Sequence, residues 1–155
     1  MTGTGASTRL TEHGIASLAT VLDLVSSASG AWLATGLSVL LPAAGTYQLD
    51  ATVRASVAAV DPSNVWVSAR LFDVTAGIVV PDSEVLIAQV NVNSSNAAVS
   101  SGHNCTSPIQ VEYTVIQPTT IRVEGARTNN TGTATTASIL ANANGRTTLR
   151  YRRIA

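Results

Sequence analysis

The chain has 155 residues, enough for one domain with a buried core. Charged residues make up 12%, about half the roughly 25% of an ordinary globular domain, while hydrophobic residues reach 45%. Nine basic residues, all Arg, balance nine acids, which excludes a general nucleic-acid binder with its net basic footprint; no apolar run reaches the roughly 18–20 residues of a membrane span.

Residues 1–14 are rich in Gly, Thr and Ser and read as a flexible N-terminal arm; residues 15–155 read as one β-sandwich domain. The start, Met1-Thr2-Gly3-Thr4-Gly5, lacks a basic segment followed by an apolar one, and no secretory signal is expected there. Ile15 to Val25 fits either period, and is assigned here as a strand. Ser26–Gly30 is a turn, and Trp32 to Leu41 is a strand broken at Gly36. Pro42 and Gly45 then open the clearest stretch. Tyr47, Leu49, Ala51, Val53, Ala55 and Val57 alternate with Gln48, Asp50, Thr52, Arg54 and Ser56, the pattern of a strand with one buried and one wet face.

Asp61-Pro62-Ser63-Asn64 is a turn. Val65 to Val74 and Val85 to Val92 are strands. Asn93 to Thr106 reads as a polar loop or weak edge strand, Ile109 to Ile116 as a strand, and Thr120 to Ala126 as another. Thr128 to Thr133 reads as a polar loop. Ala137 to Ala141 and Thr147 to Ile154 are expected to form a terminal hairpin around Asn144-Gly145, a favoured two-residue turn. Eight to ten short antiparallel strands with regular turns indicate an all-β sandwich or barrel.

Three segments carry a resemblance. Trp32 precedes an apolar strand; Leu41, Pro42, Gly45, Tyr47 and Leu49 open the long alternating one; and Thr147 to Ala155 closes the chain as Thr-x-Leu followed by Arg153-Ile154. Over residues 30–155 this resembles the jelly roll of the C1q/TNF-like superfamily, and more narrowly the small trimeric sandwich proteins of tailed-bacteriophage virions. The resemblance implies a homotrimer. Ala51, Ala55, Val57, Ala69 and Ala88 are small enough to allow subunits to approach closely, although the same positions suit the core of a single chain.

Catalysis needs a nucleophile with its base, paired acids or metal ligands. His13 falls in the arm and His103 in a polar segment beside the single Cys105, without zinc spacing. Asp61, Asp73 and Asp82 lie near turns, where turn chemistry accounts for them and a calcium site is the alternative. No enzyme activity and no cofactor are expected. Arg146, Arg150, Arg152 and Arg153 concentrate charge near the C-terminus, either as a solvated edge strand or as a docking patch.

The expectation is a structural virion protein: a trimeric capsid decoration protein on the outer surface of the head, made in the host cytoplasm. Its partners would be its own copies and the major capsid protein, with no nucleic acid or membrane. The expected docking residues are Thr8, Arg9 and Leu10 in the arm, with Arg150 and Arg152. A receptor- or carbohydrate-binding tail module is the alternative, with Trp66 and segments 93–107 and 128–135 as its ligand surface.

Overall fold

A computed structural model describes residues 12–93 and 99–155. The strands are β1 (His13–Ser17), β2 (Leu22–Asp23), β3 (Trp32–Leu41), β4 (Gly45–Val60), β5 (Ser63–Asp73), β6 (Ile78–Val79), β7 (Val85–Val92), β8 (Ser100–Val115), β9 (Thr119–Thr131), β10 (Ala134–Ile139), β11 (Ala141–Asn142), β12 (Gly145–Arg146) and β13 (Thr148–Arg153). No helix occurs among the described residues, so none is long and apolar enough to cross a membrane.

These segments occupy eight strand positions in two antiparallel sheets. In sheet A, β4 pairs with β8 on one side and with both β13 and β10 on the other; β1 and β2 then line the far side of β13 and β10. In sheet B the order is β3, β9, β5, with β7 and β6 sharing the outer side of β5. Numbering the positions along the chain, sheet A runs 1-8-3-6 and sheet B runs 2-7-4-5. This interleaving is that of a jelly roll, in which successive strands cross between two facing sheets.

The register of β4 follows directly from its sequence. Every second residue from Tyr47 to Ala59 is buried against sheet B, and the alternate residues face outward. Burial of one face makes a one-residue slip very costly, because a slip would turn the whole apolar set into water. The core is aliphatic, and Tyr47 is its one aromatic side chain among the described residues. In β3 the expected break at Gly36 is a bulge: the register shifts between Ala34 and Ser38, and Gly36 has φ +86°, a conformation open to glycine.

Gly45 serves a different need. A Cβ there would lie 2.6 Å from the Ala155 carbonyl oxygen and from Arg153 Nε, so only glycine lets the chain end pack on the start of β4. The Thr46 amide donates to that same carbonyl at 2.8 Å.

Several expectations need correction. The terminal hairpin does not form as a pair of long strands. Instead β10 and β13 lie end to end along β4, Ile139 opposite Ala55 and Thr148 opposite Thr52. Only β11 and β12 pair with each other, as a small hairpin inserted in one strand line. Arg54 holds that hairpin through Asn142 Oδ1 at 3.0 Å and the Gly145 carbonyl at 2.5 Å.

The segment after Asn93 becomes a strand from Ser100, paired residue for residue with β4 over its whole length. Strand β9 runs through Thr131, where a loop was expected from Thr128. Buried Arg127 donates to the Leu24 and Ser27 carbonyls and fastens the turn after β2 to this extension. Strand β1 begins at His13, two residues before the expected domain boundary, and Glu12 accepts from Arg153 at 3.2 Å. The remainder of the arm, residues 1–11, lies outside the described residues.

Candidate functional site

The five residues expected at a trimer interface all point into the sandwich. Ala51, Ala55, Val57, Ala69 and Ala88 are at most 2% exposed in a single chain. Their small size serves the close packing of sheet A on sheet B, and no neighbouring subunit can reach them in this fold. Thr8, Arg9 and Leu10 lie outside the described residues. Arg150 and Arg152 stand on the outer face of sheet A, where their register partners on β4 are Asp50 and Gln48. Along β4 the outward positions are mostly short and polar, with Thr46, Thr52 and Ser56 among them.

The histidines do not form a site. His13 is on β1 opposite Arg152, and His103 is on β8 opposite Val57, at the two far edges of sheet A. Cys105 is half-buried on β8. Among the described residues no three His, Cys, Asp or Glu side chains gather as metal ligands. Asp61 lies two residues before the eleven-residue strand β5 and Asp73 is its last residue, so the two sit at opposite ends of that strand.

Asp73 is buried and fully engaged. Its Oδ1 accepts from the Ala76 amide at 2.8 Å, and its Oδ2 accepts from the Tyr113 hydroxyl at 2.8 Å, tying β5 in sheet B to β8 in sheet A. Burial, then the bond to Asp73, push the Tyr113 phenol up to about 12. Beside this pair is a recess of about 160 Å³, lined by Thr75, Ala76, Ile116 and Gln117 among others. It is well below the roughly 300–1,000 Å³ of a small-molecule site.

Asp61 is less well satisfied. Among the described residues its Oδ1 and the buried Ser63 hydroxyl have no hydrogen-bond partner, and its Oδ2 accepts from the Ser101 hydroxyl at 3.4 Å.

The densest functional chemistry is on the outer face of sheet B. Successive outward positions of β5 carry Trp66, Ser68, Arg70 and Phe72; those of β9 carry Arg122, Glu124 and Ala126. Strand register sets Arg70 directly opposite Glu124 and Phe72 opposite Arg122. The Glu124 carboxylate then receives both cations. Arg70 donates to Oε2 through Nε at 2.9 Å, and its Nη2 lies 2.8 Å from the same oxygen as an ion pair; Arg122 donates to Oε1 through Nε at 2.9 Å and Nη2 at 2.5 Å.

Each guanidinium also lies over an aromatic ring. Arg70 is 4.1 Å from the Trp32 centroid and Arg122 is 4.7 Å from that of Phe72. Glu124 is only 3% exposed although it faces outward, because these groups roof it over. Trp66 stands half-buried on the same face, opposite Gln89, whose amide donates to Asn64 Oδ1 at 2.9 Å. Of this group only Trp66 was legible as a candidate. The even spacing of Trp66, Arg70 and Phe72 marks one strand face, but the meeting of Arg70 with Glu124 depends on a pairing across 54 residues.

No protein-family profile matches the chain, and no curated protein matches it in sequence. Solved structures do match in shape. VP2 of infectious bursal disease virus, in its subviral particle, superposes with a TM-score of 0.54 at 11% identity, covering 94% of this chain and 33% of VP2. The chain therefore spans about a third of that protein's length. Eiger, a TNF from S. frugiperda, aligns with a TM-score of 0.38 at 16% identity, over 92% of this chain and 85% of Eiger. The VP2 likeness is one of fold: this chain is an all-β jelly-roll sandwich of the kind found in that particle-forming protein.

Proposed function

We propose that this protein is a structural component of a virion, and more narrowly a homotrimeric decoration protein on the outer surface of a tailed-bacteriophage capsid. The observation that supports this reading is the jelly roll itself, shared over nearly the whole chain with a protein solved as a subviral particle. The surface chemistry agrees with it. Polar and charged groups are spread over two broad sheet faces instead of converging on a cleft, which suits binding over a wide area. Such a subunit would strengthen a shell by burying surface across the joints between capsomers.

The test is direct. Purified protein is added to emptied heads of the phage that encodes it, the heads are pelleted, and the pellet is imaged by cryo-electron microscopy. The expected result is saturable co-sedimentation, with three-fold density on the outside of the shell. Protein left wholly in the supernatant would overturn the reading. A second reading, a carbohydrate-binding tail module, draws on Trp66 beside the Gln89–Asn64 amide pair, an aromatic platform next to fixed donors and acceptors. Binding to host-cell glycans with no affinity for heads would favour it.

A further inference from the structure

The two outer faces of the sandwich differ in kind. Both Trp residues and the one Phe of the chain stand on the outer face of sheet B. A sandwich ordinarily spends such side chains on its core, which here is aliphatic. Leu40 and Leu86 lie on the same face, each at least half exposed. The face of sheet A carries no Trp or Phe; along β4 it offers mainly Thr, Ser and Gln between its charges, with Ile15 of β1 and Val60 as its exposed large apolar side chains. Trp, Phe and Arg with exposed Leu is the composition of a protein interface; short hydroxyl side chains are that of a solvated sheet.

The exposed charge that the sheet B strands themselves carry is positive. These strands bring out two cations, Arg70 and Arg122, and one acid, Glu124, which is buried and already satisfied by both. Asp82 and Glu84 are exposed in the turn between β6 and β7, outside the strands themselves. The contacts to Glu124 use Nε and Nη2 of each Arg, and neither Nη1 makes a hydrogen bond among the described residues. The guanidinium planes are held by the carboxylate and the rings beneath them, so their rotamer freedom is lost before any partner arrives. Fixed donors of this kind lower the ordering cost of association. They also suit a carboxylate better than the flexible ammonium of Lys would.

We propose that the outer face of sheet B is the docking surface, and that its occupant is an acidic protein surface with apolar residues among its carboxylates. The inference rests on the capsid reading above, under which that surface belongs to the head shell. It moves the contact from the sheet A residues Arg150 and Arg152 to Arg70, Arg122, Trp66, Leu40 and Leu86.

The test uses the full chain and emptied heads in the same co-sedimentation assay. Leu86→Asp and Arg122→Glu change the sheet B face, and Arg150→Glu changes the sheet A face. Leu86 is outside the Glu124 network, so Leu86→Asp keeps the test valid if Arg122→Glu unfolds; a thermal melt identifies which variants are folded. The expected result is half-saturation shifted upward by about tenfold or more for the sheet B variants, and by less than about twofold for Arg150→Glu. Wild-type binding should also weaken as salt rises. If wild type binds but folded sheet B variants bind equally well, the docking face is wrong and the capsid reading stands. If wild type does not bind heads at all, the capsid reading falls and takes this partner with it. Glycan binding that Leu86→Asp or Arg122→Glu removes would then assign the face to a saccharide instead.

Discussion

Glu124 shows how much one side chain can organise. Its carboxylate neutralises one of two adjacent guanidiniums and fixes the orientation of both. Glu124→Gln leaves two cations side by side with a single neutral acceptor, and should cost about 2–3 kcal/mol in urea denaturation. A change within 0.5 kcal/mol (roughly the scatter of neutral surface changes) would show that the network is ornamental. Tyr113 gives a pH test. Its phenol is held protonated up to about 12, above the usual 10.0. The folded state favours the neutral form, so this contribution is complete below pH 10 and is lost as pH rises towards 12. The melting temperature should fall over that window, and Tyr113→Phe should flatten the fall while lowering stability at neutral pH. An equally steep alkaline fall in Tyr113→Phe would assign the effect elsewhere.

At the scale of elements, β4 is the spine. It pairs with β8 along its full length and with β10 and β13 on its other side. Val53 is fully buried in its middle, so Val53→Asp should destabilise by at least about 3 kcal/mol or prevent folding. An unchanged melt would mean that the register of β4 is wrong. This strand was legible because alternation survives wherever one face meets the core. The first half of β8 was not, because its inward positions are Ser101, His103, Cys105 and Ser107, none of them a buried apolar side chain. An overhanging strand needs no apolar stripe, so its sequence looks like a loop. The end of β9 was missed for a related reason: its inward residues there are Arg127 and Asn129, which bind turn carbonyls and the Ala134 amide instead of filling a core. The terminal hairpin was misjudged because Asn144-Gly145 signals a reversal of the chain without giving its depth.

At the scale of the whole molecule, both ends of the described chain meet at one end of the sandwich, Glu12 against Arg153. Removing residues 1–11 therefore leaves every described strand whole, whereas a deletion through residue 14 would take part of β1. The shorter truncation should keep its thermal transition. If the arm adds to shell binding, the truncation should also weaken co-sedimentation; full binding would leave the sheet B face as the sole attachment. The proposed trimer has its own measurement. Light scattering at micromolar concentration should give three times the 15.9 kDa chain mass, and a stable species at 15.9 kDa would sink it. With the small alanines committed to the core, any trimer contact must come from the outer faces, edges or ends.

The hairpin of β11 and β12 interrupts the strand line formed by β10 and β13 without disturbing the register on either side of it. Leu140 and Thr147 close its base with an amide-to-carbonyl bond of 3.1 Å, and Ala143 and Asn144 are exposed at its tip. The sheet thus tolerates an excursion at this point as part of its native design. A foreign peptide spliced between Ala143 and Asn144 would lengthen the excursion and leave both halves of the strand on β4. If the chain coats a shell as proposed, that tip would be a site for displaying a guest sequence in a dense, regular array.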